Sequence, residues 1–549
     1  MKAQFGMIGL GTMGRNFLLN VAEHGIAGVG YDLDPEKREL LLKDGEGMPL
    51  DVGGDLTEFL AKLESPRNIM LLVPSGPIVD KVIAELVPHL ESDDLIIDGG
   101  NSHFTDTDRR DSELSAKGIG FMGVGVSGGE EGARRGASIM PGGKRAHYDR
   151  VEQTLQAVAA KVKGEPCVAY MGPGSAGHFV KMVHNGIEYG LMQILAETYD
   201  FMLRVLKMDY KQMSDTFASW NATELNSFLV EVTAEVLAKV DAETGKPLVE
   251  LILDKAAQKG TGKWTSQAAM DLGVPIPTID SAVSMRQISA QKETRMLAAQ
   301  KYGSQFALRA DQLRSHGNVV SSEARHDLKA ERARLDVETD VSQEIGSDLD
   351  REQLADARHS IATDAGRSLD KEVREGFSTD FQASIEQLRN SLLGAFITTY
   401  AQGLSLLQTA SAEKEYALNI AEIARIWRGG CIIRSALLDG MMQAYLESPN
   451  LPNLILDDRF AEVVHRTSKD WHITVGRFSE SRVPSLCLSA GLSYFEAFRS
   501  ARLPANLIQA QRDYFGAHTY QRIDKEGVFH TPDWKNENRI AAEHPEERP

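Results

Sequence analysis

The chain has 549 residues, too many for one hydrophobic core and enough for about three to four domain-sized units. Hydrophobic residues make up 42% and charged residues 25%, which excludes global disorder and a collagen-like chain. A formal charge of −18, from 60 Lys plus Arg against 78 Asp plus Glu, argues against nucleic acid or an anionic membrane as partner; an anionic ligand would need positive charge gathered in a pocket. The cysteines Cys167, Cys431 and Cys487 are scattered and odd in number, which excludes a disulfide framework and fits a reducing cytosol. The first apolar run is broken by Gly6, Gly9, Gly11 and Gly14, unlike a signal peptide. The later run from Leu392 to Leu407 is interrupted by Thr398, Thr399, Tyr400 and Gln402 and falls short of the roughly 20 apolar residues that span a bilayer. A soluble cytoplasmic protein is expected.

In chain order, Gln4 to Ile8 reads as a buried strand, Gly14 to His24 as a helix burying Phe17, Leu18 and Val21, and Gly28 to Tyr31 as a second strand. Ile69 to Val73, Leu95 to Ile97 and Gly120 to Val124 are further strands. Their nearly all-apolar character predicts a parallel, doubly wound sheet. From about Gly177 helical periods dominate. An amphipathic stretch, a Trp (Trp220, Trp427) and a following helix occur twice, compatible with a duplicated helical unit or with chance. Residues 307–376 lack Phe, Tyr, Trp and Pro and are rich in charge, with apolar positions often six or seven apart; long solvated helices and a flexible insertion are both open. Leu503 to Tyr520 is too apolar to be a free tail and must pack on something, whereas the polar stretch beyond Trp534 should fray. The expected architecture is an α/β Rossmann-like N-terminal domain (1–176), a large all-α domain (177–502, with the charged insertion at about 304–376) and a C-terminal tail (503–549).

Gly9-Leu10-Gly11-Thr12-Met13-Gly14 is a G-x-G-x-x-G between a strand and a helix. Its glycines permit the tight turn, and the helix N-terminus offers free N–H groups to a pyrophosphate. Glycine-rich turns are common, so the position, more than the hexapeptide, carries the inference. Asp32 ends the second strand, where an acid bonds the ribose 2′-hydroxyl of NAD, and Asp34 adds charge that would repel a 2′-phosphate. Both could instead simply open the turn before Pro35, and the nearby Lys37 and Arg38 keep NADP open.

The sharper signal is His178 to Tyr189. In a helix, Lys181, His184, Asn185 and Glu188 fall on one face, while Phe179, Val180, Met182, Val183 and Ile187 demand burial. Lys and Glu in a buried helix are seldom filler, although an ion pair between helices is the plain alternative. A desolvated lysine has its pKa lowered toward that of a working base. Asp98-Gly99-Gly100-Asn101-Ser102 and Val126-Ser127-Gly128-Gly129-Glu130 follow strands, where open α/β sheets bind ligands. Gln258 to Thr265 has the composition of an anion-binding turn without Walker spacing. Each alone could be an ordinary glycine turn. No metal-ligand spacing and no nucleophile elbow is present, so no metal is expected.

The blocks IIDGGNS, GVSGGEEGAR, GHFVKMVHNGIEYG, QKGTGKWT, WRGGCIIRS and LPANLIQAQRDYFGAHTY together resemble the decarboxylating 6-phosphogluconate dehydrogenases of the pentose phosphate route, over nearly the whole chain outside about 304–376 and the last dozen residues. Shorter β-hydroxyacid dehydrogenases share the first glycine motif and the lysine logic but lack the last three blocks. The resemblance implies oxidative decarboxylation of 6-phosphogluconate to ribulose 5-phosphate. Lys181 would be general base and then acid, Glu188 the proton donor to C1, and Asn185 and His184 would orient the substrate. It puts Gly9, Gly11, Thr12, Met13, Gly14, Asp32, Val73, Asn101 and Glu130 at the cofactor. The sugar acid would meet Asn101, Ser127, Gly128 and Gly129. The phosphate would meet Tyr189, Lys259, Thr261 and Arg286, with Arg512 and His518 arriving from the tail of a partner subunit in a homodimer, or a dimer of dimers. NADP-using members carry Asn-Arg-Thr/Ser where this chain has Asp32-Leu33-Asp34, so NAD is the expected preference with NADP as the alternative. A dehydrogenase without decarboxylation is disfavoured by Lys259, Arg286 and Arg512, which imply a phosphorylated substrate. A non-catalytic scaffold is disfavoured by the presence of Lys181 and Glu188.

Overall fold

The structure is a computed structural model that describes residues 2–303, 351–535 and 541–543, with side chains of the helix beginning at Arg351 described from residue 380 onward. The charged insertion expected at 304–376 lies outside the described residues as far as residue 350. Two compact units are present, Met1–Ala490 and Gly491–Pro549.

The first unit opens on a seven-stranded sheet: β1 (Phe5–Ile8), β2 (Gly28–Tyr31), β3 (Leu50–Val52), β4 (Asn68–Leu71), β5 (Leu95–Asp98), β6 (Gly120–Ser127) and β7 (Ser138–Gly143). The order is β3-β2-β1-β4-β5-β6-β7, and only β7 runs antiparallel, against β6. Each strand expected from its apolar run is found, with ends shifted by at most a few residues. The reason is visible in the packing. Phe5, Met7, Met70, Leu95 and Ile97 enter one core, and Ile8, Ile69, Leu71 and Ile96 enter another on the opposite face. Period-2 side chains buried on both faces are what a doubly wound sheet requires. The strand order reverses between β2-β1 and β4, which opens a crevice at the carboxyl ends of these strands.

Beyond the sheet the unit is helical. The helix Ala176–Arg204 is buried on nearly all sides over its first half. It descends directly onto the sheet because both surfaces are glycine there: a side chain on Gly177 would meet Gly142 N at 2.6 Å, and one on Gly123 would meet His178 Nδ1 at 2.7 Å. The repeat suggested by the two tryptophans is a structural one. The long helix Ala176–Arg204 is followed by Tyr210–Trp220 and Phe228–Ala238. The long helix Arg351–Glu413 is likewise followed by Ile420–Ile426, capped by Trp427, and by Leu437–Glu447. Both tryptophans are buried, and the copies join where Ser227 pairs antiparallel with Ser435, with Phe228 N donating to Arg434 O at 3.0 Å and Ala436 N to Asn226 O at 2.8 Å.

The second unit contains the helix Ala505–Gly516 and a three-stranded antiparallel sheet of Tyr520–Gln521, Val528–His530 and Ala541–Glu543. The last strand corrects the expectation that everything beyond Trp534 frays: residues 541–543 pair with Val528–His530, Phe529 opposite Ala542. The buried carboxylate of Asp513 organises this unit. It accepts from Thr519 N (3.0 Å), His530 Nδ1 (2.9 Å), Thr531 N (2.9 Å) and Trp534 Nε1 (3.1 Å). Burial alone would raise its pKa, but the bonds from His530, Thr531 and Trp534 outweigh that and hold it below the usual carboxylate range. Leu507, Ile508 and Phe515 of the helix stand exposed within the unit.

Candidate active site

The dinucleotide motif closes on itself as its glycines demand. Gly9 has φ +95°, and a side chain there would strike Leu72 O at 2.6 Å. A side chain on Gly14 would overlap Gly9 O, so the helix Thr12–Glu23 can start this close to β1 only with glycine. Gly11 differs: a side chain there would meet nothing within 4 Å, and it caps the helix without a side-chain bond. The space beside the helix N-terminus at Gly11 is therefore open, which fits a pyrophosphate there. Beside it a cavity of about 340 Å³ is lined by Gly9, Gly11, Tyr31, Asp32, Val73, Ile78 and Val82 among others. Asp32 accepts from Leu10 N at 2.8 Å and from Asp34 N at 3.0 Å, and Lys37 Nζ lies 3.5 Å from Asp32 and 3.9 Å from Asp34. The carboxylate thus shapes the glycine turn as well as facing the cavity. Thr12 is exposed and Met13 half-buried, and Glu130 accepts from Asn16 Nδ2 of the same helix at 3.4 Å.

Lys181, His184, Asn185 and Glu188 share one face of the helix Ala176–Arg204; the first three are buried and Glu188 is half-buried. Burial lowers the pKa of Lys181, against the opposing field of Glu188. Burial raises that of Glu188, opposed by Lys181 and Arg286. His184 is pushed well down, by burial and then by the charge of Lys181, and is a neutral imidazole. Its Nδ1 lies 3.1 Å from Asn185 Oδ1 and its Nε2 3.2 Å from Ser127 Oγ. With the amide oxygen as acceptor, Nδ1 carries the proton and Nε2 accepts from the serine. Ser127 ends β6, so the helix and the Ser127-Gly128-Gly129 turn are joined through this imidazole.

Tyr189 is packed under the Arg286 guanidinium, 3.4 Å from its ring centroid, a cation–π contact that fixes the arginine. Thr261 is buried at the first turn of the helix Thr261–Asp271, behind Gly260 with φ +98°, and Lys259 is exposed just before it. Asn101 is exposed on the turn after β5. Arg512 and His518 lie in the second unit. Arg512 Nη1 donates to Gln509 Oε1 at 3.1 Å, and Gln509 Nε2 in turn bonds Thr519 O at 2.6 Å beside His518.

Two groups of residues escaped sequence reasoning. The Trp427 to Cys431 loop backs the site: the Trp427 ring stands edge-on to His184 (centroids 5.5 Å apart), and Gly430 O accepts from Ser138 N at 2.7 Å. Gly128, at φ +107°, has no room for a side chain, which would stand 2.5 Å from Gly430 O. Cys431 donates to Trp427 O at 3.1 Å, and burial pushes its thiol up to about 12, so it stays neutral beside Lys181. The second group shapes the turn after β5. The Asp98 carboxylate accepts from Gly100 N (3.0 Å), Ser102 Oγ (2.6 Å) and Arg110 Nη1 (3.3 Å), while Asp98 O lies 3.0 Å from His178 Nε2. Trp427, Cys431, Asp98 and His178 stood inside motif blocks, whereas nothing in the sequence pointed to Arg110. Among the described residues no cluster of three or more His, Cys, Asp or Glu is arranged to hold a metal ion, and no helix is long and apolar enough to cross a membrane.

The family described as the NAD binding domain of 6-phosphogluconate dehydrogenase matches residues 4–172, and that described as the 6-phosphogluconate dehydrogenase C-terminal domain matches 177–329 and 350–534. The chain is 43% identical over 530 residues to the NADP(+)-dependent, decarboxylating 6-phosphogluconate dehydrogenase of Bacillus subtilis, covering 96% of this chain and 99% of that one. It is 42% identical over 522 residues to the decarboxylating 6-phosphogluconate dehydrogenase 1 of Saccharomyces cerevisiae, covering 95% and 93%. Its structure is similar to that of Plasmodium falciparum 6-phosphogluconate dehydrogenase, solved without ligand, with NADP+ and with 6-phosphogluconate, at a TM-score of 0.80 and 36% identity over 96% of this chain and 100% of the other. With a dinucleotide crevice, a buried Lys and a half-buried Glu on one helix face and these matches end to end, the chain belongs to the decarboxylating 6-phosphogluconate dehydrogenase family of nicotinamide-dependent oxidoreductases.

Proposed function

We propose that this chain converts 6-phospho-D-gluconate to D-ribulose 5-phosphate and carbon dioxide while reducing a nicotinamide dinucleotide, in the cytoplasm. The observation that carries the reading is the pair Lys181 and Glu188, two turns apart on one buried helix, with burial moving the amine down and the carboxyl up. The bound nicotinamide supplies the hydride acceptor. Lys181 Nζ, as the neutral amine, takes the proton of the C3 hydroxyl as hydride leaves C3. The resulting 3-keto acid loses carbon dioxide, its carbonyl accepting the electrons, and the Lys181 ammonium returns the proton to the C3 oxygen. Glu188, whose carboxyl burial pushes toward the protonated form, delivers a proton to C1 of the enediol. His184 and Asn185 orient the hydroxyls, with Ser127 fixing the imidazole, and Asn101, Gly128 and Gly129 surround the sugar acid. Tyr189, Lys259, Thr261 and Arg286 hold the phosphate, joined by Arg512 and His518 from the partner subunit of a homodimer. The exposed Leu507, Ile508 and Phe515 support a tail that packs against such a partner. The cationic side chains focus on one point the charge that an acidic protein needs to hold a phosphate ester.

The cofactor reading is NAD in preference to NADP. It rests on Asp32, which lines the cavity, and on Asp34 two residues on, whose carboxylates would oppose a 2′-phosphate. Lys37 offsets part of that charge, and the Bacillus subtilis relative is NADP(+)-dependent, so the preference is specific to these residues. The domain reading is a dinucleotide-binding domain over 1–176, a helical domain over 177–502 and an intersubunit tail from 503. The charged segment about 304–376 is proposed to be dispensable for the chemistry, so that a deletion of residues 306–376 that folds should keep activity; the break in the family match, 330–349, falls inside it.

Product analysis with 6-phosphogluconate tests the whole reading: one carbon dioxide and one ribulose 5-phosphate are expected per dinucleotide reduced. Absence of carbon dioxide, or full activity in Lys181→Met, defeats the mechanism. A higher kcat/KM with NADP than with NAD defeats the cofactor preference alone.

A further inference from the structure

Arg110 takes no part in the proposed chemistry, yet its side chain is 1% exposed and all five of its N–H donors are engaged. Nε and Nη2 donate to the two oxygens of Asp80 at 2.8 and 3.2 Å, and Nη2 also donates to Gly76 O at 3.1 Å. Nη1 donates to Ser102 Oγ at 3.1 Å and to Asp98 Oδ2 at 3.3 Å. These partners fall into two sets from different loops. Gly76 and Asp80 bracket the start of the helix Pro77–Leu86, whose Ile78, Val82 and Leu86 line the dinucleotide cavity. Asp98 and Ser102 bracket the Gly99-Gly100-Asn101 turn, and through Asp98 O the same turn touches His178, one helical turn before Lys181.

We infer that Arg110 is a positioning residue that couples the dinucleotide site to the sugar-acid site. The inference rests on the functional reading above. One planar guanidinium holds both loops, and neither can move alone without leaving a buried charge with a broken partner. A dinucleotide that settles the loop at Gly76 and Asp80 therefore settles the turn that carries Asn101, and a bound sugar acid does the reverse. Such linkage is reciprocal in binding free energy. Lysine keeps the charge but lacks the fork, so Arg110→Lys cannot hold both loops in one plane.

The test uses the full chain and a complex that cannot react. NADH, and separately NADPH, is titrated by calorimetry with and without saturating 6-phosphogluconate, in the wild type, Arg110→Lys and Asp80→Asn. The coupling factor is the ratio of the two dissociation constants. In the wild type it should depart from one by about fivefold or more. In each variant that retains the wild-type circular dichroism spectrum it should fall close to one, with each ligand alone still binding. A purely structural role would lower the melting temperature and leave the factor at its wild-type value, and that result overturns the coupling. Asp80→Asn keeps the shape of the cofactor-side partner, so the test survives if Arg110→Lys fails to fold. A wild-type factor of one overturns the coupling while leaving the functional reading intact. A wild-type chain that binds no 6-phosphogluconate removes the reading, and the coupling with it.

Discussion

Gly125 of β6 lies directly beneath Lys181: a methyl group on Gly125 would overlap Lys181 Cβ and stand 3.0 Å from Cγ, with Gly177 O at 3.2 Å closing the other side. The proposed base thus owes its position to an absent side chain on a neighbouring strand. Gly125→Ala should lift the amine from its place, lowering kcat on the order of 10²-fold. Overpacking there should cost about 1–3 kcal/mol. Steady-state kinetics paired with thermal melting checks this; a variant with wild-type kcat would mean that Lys181 Nζ tolerates displacement.

The opposite pKa shifts of Lys181 and Glu188 define a pH profile. The base works only as the neutral amine, so the rate should rise with pH through the lowered lysine ionisation. The acid works only when protonated, so the rate should fall as pH passes the raised glutamate ionisation. Because the groups interact, the two limbs of kcat/KM belong to the pair. Glu188→Gln should slow turnover and abolish the alkaline limb while leaving the acid limb. If the alkaline limb survives unchanged in that variant, it comes from another group.

Glu197 lies two turns beyond Glu188 and is buried against the start of another helix, accepting from Cys487 N and Leu488 N at 3.0 Å each. Burial outweighs these amides and Gln193 and raises its pKa to about 7. The folded state therefore binds this proton more tightly than the unfolded chain, whose glutamate titrates near 4.3. Its stabilising contribution is complete below that value and is lost as pH rises through about 7. Between pH 4 and 8 the wild type should lose on the order of 3 kcal/mol relative to Glu197→Gln. Denaturant midpoints of both proteins at several pH values measure the difference, and parallel curves would refute it.

In the second unit, four donors converge on Asp513. Asp513→Ala strands all of them and should loosen the tail by about 3 kcal/mol, whereas Asp513→Asn keeps an acceptor and should cost less. Limited proteolysis should cut the alanine variant beyond residue 503. If Arg512 and His518 serve a partner's site, kcat/KM should fall in the same order as the proteolysis.

The sheet was legible because buried strands announce themselves as apolar runs between glycines, and the lysine helix because Lys181 and Glu188 stand among Phe179, Val183 and Ile187. Beyond Tyr189 the same helix turns amphipathic, burying Leu191, Ile194, Leu195, Thr198, Phe201 and Met202 at the helical spacing expected from about Gly177 onward. The Asp98, Arg110, Asp80 and His178 network was illegible. Its members come from four elements, and only the folded chain reveals that one carboxylate and one guanidinium shape the turn. The Trp427 to Cys431 loop was visible as a motif but silent about its place behind His184.

The two helical copies divide the labour unequally. In the first, a 29-residue helix begins hard against the sheet, and every reacting group is measured from that start. In the second, the corresponding helix has 63 residues, about 95 Å of rod, and bears none of the proposed acid–base groups. Length added before residue 176 would shift the register of Lys181, whereas length added before residue 351 shifts nothing that reacts. Insertions and deletions among related enzymes should therefore gather ahead of the second long helix and be missing ahead of the first, making one copy the molecule's fixed datum and the other its margin for change.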